Sequence, residues 1–179
     1  MRQTNQKVKI MCEGALLVAV ALILSYFKIE LTAFGSINFV MVPLIVFAWR
    51  WGTKWGLAAG AIYGTLKFLL AAGAAFNWLS ILLDYTLAYA AVGFAGVFKR
   101  KKWGLPAGAL VGSLARYVIH FISGITIYAI TGPEEVMGLV TSNMWLFSFL
   151  YNIVYMGPNT VIAFVSCLLL QKPMEKLDK

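Results

Sequence analysis

Charged residues are scarce in this sequence. They make up 12% of its 179 residues, whereas a soluble globular domain carries about 25%. Hydrophobic residues make up 61% of the chain. A water-soluble domain rarely has this balance, so the composition predicts a membrane protein.

Histidine and cysteine are also rare, with one and two residues respectively. Cys12 and Cys167 lie far apart in apolar segments, and we expect two buried, reduced thiols rather than a disulfide or a metal pair. There is no metal-spaced His/Cys cluster, no Ser-His-Asp set and no phosphate-binding glycine loop. We therefore expect no enzyme and no resident metal or cofactor, and active transport would draw energy from a partner or an ion gradient.

Six apolar stretches are candidates for transmembrane helices, each of which needs about 20 mostly apolar residues. They cover about residues 8–27, 37–49, 55–73, 78–98, 105–129 and 144–171. The second stretch is short for a full crossing, so its start can belong to a re-entrant or lid segment. The sequence thus predicts an all-α integral membrane protein, with six transmembrane helices in a single domain over residues 1–179.

The basic residues predict the orientation of this bundle. The net charge is +8, and 12 of the 15 Lys and Arg residues lie at the two termini, in the turn after the second helix, and in the run Lys99–Lys102. The opposite connections hold only Lys28 against three glutamates. The positive-inside rule therefore places both termini in the cytoplasm of a multi-pass plasma-membrane protein. Basic clusters between apolar runs indicate how the chain is oriented in a lipid bilayer, rather than a surface that binds nucleic acid.

Small residues recur every four positions, a spacing that lets helix backbones approach closely in lipid. Two such rows are Gly56, Gly60 and Gly64 in the third helix and Gly104, Gly108 and Gly112 at the start of the fifth. We expect both rows to serve packing within the bundle rather than oligomerisation. Ala15 and Ala19 form a similar pair in the first helix. The local sequence leaves open whether this pair packs internally or forms a docking face.

Polar residues inside the predicted spans include Lys67, Asp84, Arg116, His120 and Asn152. With about 1.5 Å of rise per residue, all of these except Arg116 lie roughly 9–14 Å below the outer ends of four different helices. Arg116 lies one turn deeper than His120. An ionisable side chain in hydrocarbon costs roughly 2.5–3.5 kcal/mol, so this convergence favours a binding site. A structural ion pair of Asp84 with Lys67 or Arg116 is the alternative.

Aromatic side chains surround the same layer, at Tyr85, Tyr89, Tyr128, Phe147, Tyr151 and Tyr155. A carboxylate with aromatic faces nearby suits a flat cationic ligand, through ion pairing and cation–π attraction. His120 and Asn152 would add hydrogen bonds that orient such a ligand.

Three segments also carry a resemblance to a known family. They read Leu82-Leu83-Asp84-Tyr85-x-x-Ala88-Tyr89, Arg116-Tyr117-x-x-His120-x-Ile122-Ser123-Gly124, and Tyr151-Asn152-x-x-Tyr155-Met156-x-Pro158. Together with Met41-Val42-Pro43-Leu44-Ile45 and Arg50-Trp51-Gly52, they resemble the thiamine-specific substrate-binding subunits of energy-coupling-factor vitamin transporters. The resemblance covers nearly the whole chain. Asp84 stands where some members of that family have Glu, and Phe147 where many have Tyr.

The resemblance implies a six-helix subunit of a prokaryotic cell membrane that binds thiamine from outside. Delivery would follow docking on a module of one transmembrane coupling protein and two ATPases, so that only these partners use ATP. The resemblance also implies the residues that contact the ligand. They are Asp84, Tyr85, His120, Gly124, Tyr128, Phe147, Tyr151 and Asn152, together with Phe34 as the aromatic residue of the first loop. The docking face falls on Ala15 and Ala19, and Lys67 and Arg116 are the candidate charge partners of Asp84.

Two other functions fit the same residues. One is the same architecture with another water-soluble vitamin as its ligand. The other is an autonomous proton-coupled transporter in which Asp84, His120 and Arg116 form a proton relay.

Overall fold

Six helices dominate the computed structural model, which describes residues 2–31, 35–70, 78–131, 135–136 and 139–177. They are α1 (Arg2–Leu24), α2 (Met41–Trp51), α3 (Thr53–Leu70), α4 (Trp78–Phe98), α5 (Gly104–Thr131) and α6 (Met144–Leu177). This confirms the predicted all-α, six-helix fold. The largest differences in helix ends are at α1, which begins before residue 8, and at α6, which continues beyond residue 171.

Three of these helices, α4, α5 and α6, are long and apolar enough to cross a bilayer. Helix α1 has 23 residues but carries Lys7, Lys9 and Glu13 in its first half. Helix α2 is apolar but only 11 residues long.

Two short antiparallel hairpins lie in connections between helices, and one of them includes Ile37, which was predicted to begin the second helix. Strand β1 (Ile29–Glu30) pairs with β2 (Ser36–Ile37), and β3 (Glu135–Val136) pairs with β4 (Leu139–Val140). Strands of two residues are too short to show an alternating pattern, which is why sequence reasoning missed them. In the first hairpin the ammonium of Lys28 lies 2.7 Å from Glu30, and this hydrogen bond and charge lower the pKa of the Glu30 carboxyl.

Helix α2 lies at the centre of the bundle. It contacts each of the other five helices, and nine of its 11 residues are buried. At about 1.5 Å per residue α2 spans about 16 Å, roughly half of a hydrocarbon core of about 30 Å. Its amino end and the preceding residues Asn38 and Val40 are buried inside the protein. The assignment of this start to a re-entrant or lid segment stays a prediction.

Glycines allow α3 and α4 to pack backbone against backbone. A Cβ atom placed on Gly60 would contact the carbonyl oxygen of Tyr89, and one on Gly64 would contact that of Tyr85. Gly108 and Gly112 of α5 face the α4 backbone in the same way. The glycine spacing therefore serves packing within the bundle, as predicted.

The cysteines correct one expectation. Both are free thiols, but only Cys167 is buried, whereas Cys12 is exposed on α1. Its neighbours Met11, Ala15 and Leu16 are exposed as well. Apolar residues on a membrane helix can face either the core or the lipid, so composition did not distinguish the two environments.

We predict that Gly60→Ala destabilises the bundle by about 1–3 kcal/mol, because the added methyl group must push α3 away from the α4 backbone. Thermal unfolding of the purified protein in detergent measures this effect as a lower midpoint temperature.

Gly157→Ala is the matched control, since a Cβ atom there would meet nothing within 4 Å. Removing a helical glycine should stabilise this variant by roughly 0.5–1 kcal/mol. Equal midpoints for the two variants would contradict the close packing of α3 and α4.

Candidate functional site

Asp84 lies in an irregular part of α4. Residues Ile81–Leu87 form a π-helix, in which the N–H group of Ala88 bonds to the carbonyl of Leu83. The π-helical segment directly follows one short α-helical turn and precedes another. Such segments are rare and occur frequently at functional sites.

The Asp84 carboxylate receives both of its hydrogen bonds from α5. His120 Nδ1 lies 2.9 Å from Asp84 Oδ1, and Ser123 Oγ donates to Asp84 Oδ2 over 2.7 Å. The Asp84 side chain is 24% exposed. Since each carboxylate oxygen can accept two hydrogen bonds, acceptor positions remain for a ligand.

Arg116 sets the tautomer of His120. Arg116 Nε donates to His120 Nε2 over 3.3 Å, and a guanidinium group can only donate. His120 Nε2 must therefore be the unprotonated nitrogen, so Nδ1 carries the proton and donates it to Asp84. Arg116, His120 and Asp84 form a directed chain of hydrogen bonds across α5 and α4.

Both predicted charge partners converge on Tyr89. Lys67 Nζ donates to the Tyr89 hydroxyl over 2.7 Å, and the Arg116 guanidinium lies 4.1 Å above the Tyr89 ring. Neither cation forms an ion pair with Asp84 in the described part of the chain, where the carboxylate is bonded by His120 and Ser123. Arg116 thus reaches Asp84 through His120. Its Nη1 atom is buried without a hydrogen-bond partner among these residues.

Asn152 joins α6 to α5. Its Nδ2 atom donates to the carbonyls of His120 and Ser148, and its Oδ1 atom accepts a 2.7 Å hydrogen bond from the Tyr155 hydroxyl. Gly124 permits this approach, because a Cβ atom there would lie 3.0 Å from Asn152 Nδ2 and would contact Ser148 Oγ.

Aromatic rings follow one face of α6 at intervals of four residues. Phe147 and Tyr151 stack with centroids 5.7 Å apart, and Tyr151 meets Tyr155 edge-on at 6.3 Å. Tyr128 of α5 packs on Phe147 at 5.2 Å and donates to the carbonyl of Thr141. The Tyr155 ring also contacts the His120 ring, with centroids 5.8 Å apart. This row of aromatic rings therefore ends next to His120, the hydrogen-bond partner of Asp84.

The remaining predicted residues lie elsewhere or are not described. Tyr85 packs against Phe68 of α3 at 5.2 Å. Ala15 and Ala19 are exposed on α1. Phe34 falls outside the residues that the structure describes.

Two residues that contact the site were not among the predicted ligand contacts, although Tyr155 was among the aromatic residues expected around the layer. Ser123 follows His120 by three positions, and Tyr155 follows Asn152 by three, so each lies on the same helix face as a predicted residue. This spacing was the available signal. Over the described ranges, no group of three or more His, Cys, Asp or Glu side chains could hold a metal ion.

Comparison with known proteins identifies the family. The model of the family described as thiamine transporter protein (Thia_YuaJ) matches residues 11–179. The chain belongs to this family. Its members are transport proteins, and the chain is accordingly a membrane protein rather than an enzyme.

Individual relatives agree with this assignment. The chain is 31% identical to the thiamine transporter ThiT of Bacillus subtilis over 186 aligned residues, which cover 94% of this chain and 93% of that protein. It is 27% identical to ThiT of Lacticaseibacillus paracasei over 168 aligned residues, covering 84% and 80% respectively.

A solved structure of ThiT from Listeria monocytogenes has the same fold. It matches with a TM-score of 0.82 at 24% identity and covers 97% of this chain and 98% of that one. The cytoplasmic placement of both termini stays a prediction from the positive-inside rule.

The tautomer of His120 can be tested directly, because it is the only histidine in the chain. We predict that ¹⁵N NMR of histidine-labelled protein at neutral pH shows a protonated Nδ1 and an unprotonated Nε2. Arg116→Met removes the donor to Nε2 and should release this constraint. A protonated Nε2 in the unsubstituted protein would contradict the hydrogen-bond chain.

Proposed function

We propose that the chain binds thiamine as the substrate-binding subunit of an energy-coupling-factor transporter. The observation that carries the proposal is the Asp84 carboxylate, which two α5 side chains hold in place and which retains acceptor capacity. A fixed, partly buried carboxylate beside aromatic rings suits a flat organic cation. Thiamine has that chemistry, with a positively charged thiazolium ring and an aminopyrimidine ring, and both relatives described above are named thiamine transporters.

The aromatic row would supply the apolar surface of the ligand site. Phe147 and Tyr128 would stack on a ring of thiamine, and Tyr151 and Gly124 would line the space beside it. His120 and Asn152 would orient the ligand by hydrogen bonds. Asn152 Nδ2 donates within the protein, whereas Asn152 Oδ1 accepts from the Tyr155 hydroxyl and has a second acceptor position that a donor of thiamine would use.

Two further contacts would complete the site. Tyr85 would line its α4 side, and Phe34 would close the first loop over the ligand as a lid. Asp84 would either neutralise the thiazolium ring or accept a hydrogen bond from the aminopyrimidine.

Transport would take its energy from partner subunits. The sequence has no phosphate-binding loop for a nucleotide, so ATP would be used by two ATPases that act through a transmembrane coupling protein. Ala15 and Ala19 would form the docking face for that protein. Both are small, exposed and one helical turn apart on α1, which favours close contact between helices in lipid.

We predict that Asp84→Asn weakens thiamine binding at least tenfold, equivalent to ~1.4 kcal/mol. The substitution removes the negative charge while keeping the side-chain size. Titration of the purified protein, followed by quenching of its tryptophan fluorescence, measures the affinity.

Glu175→Gln is the matched control, because it removes a carboxylate near the far end of α6 while keeping the oxygen that accepts from Gln171 Nε2, and it should leave the affinity unchanged. Unaltered binding by Asp84→Asn would remove Asp84 from the ligand site. Competition with thiamine phosphates, pyridoxine, riboflavin and niacin tests the vitamin itself, and displacement by one of the last three in preference to thiamine would contradict the proposal.

We predict that Ala15→Trp preserves thiamine binding and abolishes ATP-driven uptake after reconstitution with the coupling module. A bulky ring on a close-packed docking face would keep the helices apart. Uptake of labelled thiamine into proteoliposomes, with and without ATP, measures the effect.

Val161→Trp is the control, since Val161 is an exposed apolar residue on α6 and its replacement should permit uptake. Transport by Ala15→Trp at the normal rate would show that α1 does not dock there. Uptake by the purified chain alone under a pH gradient would support the autonomous proton-coupled transporter instead.

A further inference from the structure

The connection before α2 places non-helical backbone inside the bundle. Asn38 is 6% exposed and Val40 is fully buried, yet neither belongs to a helix. At membrane depth no water is available to bond the backbone N–H and C=O groups, so the protein itself must satisfy them. We call residues 35–40 the buried connection.

The side chain of Asn159 satisfies this backbone. Asn159 Oδ1 accepts a 3.0 Å hydrogen bond from the N–H group of Asn38, and Asn159 Nδ2 donates to the carbonyl of Ser36 over 2.8 Å. One amide side chain of α6 thus pairs with two backbone groups more than 120 positions away. Asn159 is only 1% exposed.

Other groups complete the network. Asn159 Nδ2 also donates to the carbonyl of Tyr155, one turn earlier on α6. Asn38 Oδ1 accepts from the N–H group of Val40, and Asn38 Nδ2 donates to the hydroxyl of Ser36. Asn159 thus supplies two hydrogen bonds that hold the buried connection against α6.

This network adjoins the candidate ligand site. Tyr155, whose carbonyl binds Asn159, contacts the His120 ring and donates its hydroxyl hydrogen to Asn152. Asn159 lies seven residues after Asn152, which corresponds to about 10 Å along the helix. The buried connection is thus attached to α6 about two turns beyond Asn152, on the side toward the predicted cytoplasm.

Resting on the proposed function, we propose that Asn159 is a positioning residue that slows the release of thiamine. It holds the buried connection against α6, and through Tyr155 it holds Asn152 and His120 in place around the ligand. Without the amide, the backbone groups of Ser36 and Asn38 lose their partner and the connection moves away from α6. Because coupling between sites is reciprocal, bound thiamine should in turn stabilise the buried connection.

The test compares Asn159→Asp with Asn143→Asp. The first substitution replaces the donor group that bonds Ser36 and Tyr155 by a carboxylate oxygen. The second makes the same chemical change at the exposed start of α6, where Asn143 Oδ1 accepts from the N–H groups of Trp145 and Leu146 and an aspartate accepts equally well.

Stopped-flow tryptophan fluorescence measures both rate constants of thiamine binding. We expect Asn159→Asp to release thiamine about tenfold faster with little change in the association rate constant, since changes within one binding site mostly affect dissociation. Asn143→Asp should match the unsubstituted protein. A purely structural role would lower the thermal midpoint without changing the dissociation rate constant.

Hydrogen–deuterium exchange of the unsubstituted protein and of Asn159→Asp provides a second measurement. In the unsubstituted protein, thiamine should slow exchange in the peptide that covers residues 35–42, and Asn159→Asp should exchange faster there without ligand. If Asn159→Asp does not fold, Asn159→Ser takes its place in both measurements: faster exchange of residues 35–42 and faster release of thiamine support the inference, and unchanged values overturn it.

The two proposals fail in distinguishable ways. If the unsubstituted protein binds no thiamine, the proposed function fails and this inference fails with it. If it binds thiamine and Asn159→Asp releases the ligand at the unsubstituted rate, only the inference about Asn159 is wrong.

Discussion

A carboxylate among apolar helices costs free energy unless neighbouring helices donate hydrogen bonds to it. Most of the site's geometry follows from the way in which Asp84 obtains these donors. Both donors come from α5, three residues apart on one helix face. This arrangement fixes the rotation of α5 against α4 at the layer of Asp84. It also places His120 between Asp84 and Arg116, so that the guanidinium reaches the carboxylate through a neutral ring rather than by direct pairing.

The helices around Asp84 depart from regular geometry or carry glycine at the points where they form the site. Helix α4 changes to a π-helix at Asp84, and Gly124 lets α6 approach α5 closely enough for Asn152 to bond the carbonyl of His120. Helix α2 begins only part of the way across, and Asn159 satisfies the backbone that precedes it. Two asparagines of α6 therefore hold the site together, each by bonding the backbone of another segment.

The sequence predicted the six helices because long apolar runs in lipid have few alternatives to a helix. Depth counting also brought Asp84, His120 and Asn152 into one layer, since the rise per residue is constant. It could not predict that Lys67 and Arg116 meet at Tyr89. That outcome depends on helix rotation and on glycine contacts between α3 and α4, which a one-dimensional count of depth does not contain. The exposed thiol of Cys12 escaped prediction for a similar reason.

The central claim is that the Asp84 carboxylate is the anionic anchor of a thiamine site. The most direct measurement is an experimental structure of the protein with thiamine bound. We expect a positively charged or hydrogen-bond-donating group of thiamine to contact a carboxylate oxygen of Asp84, with one ring of the ligand against Phe147. Thiamine bound elsewhere, with Asp84 still contacted only by His120 and Ser123, would contradict it.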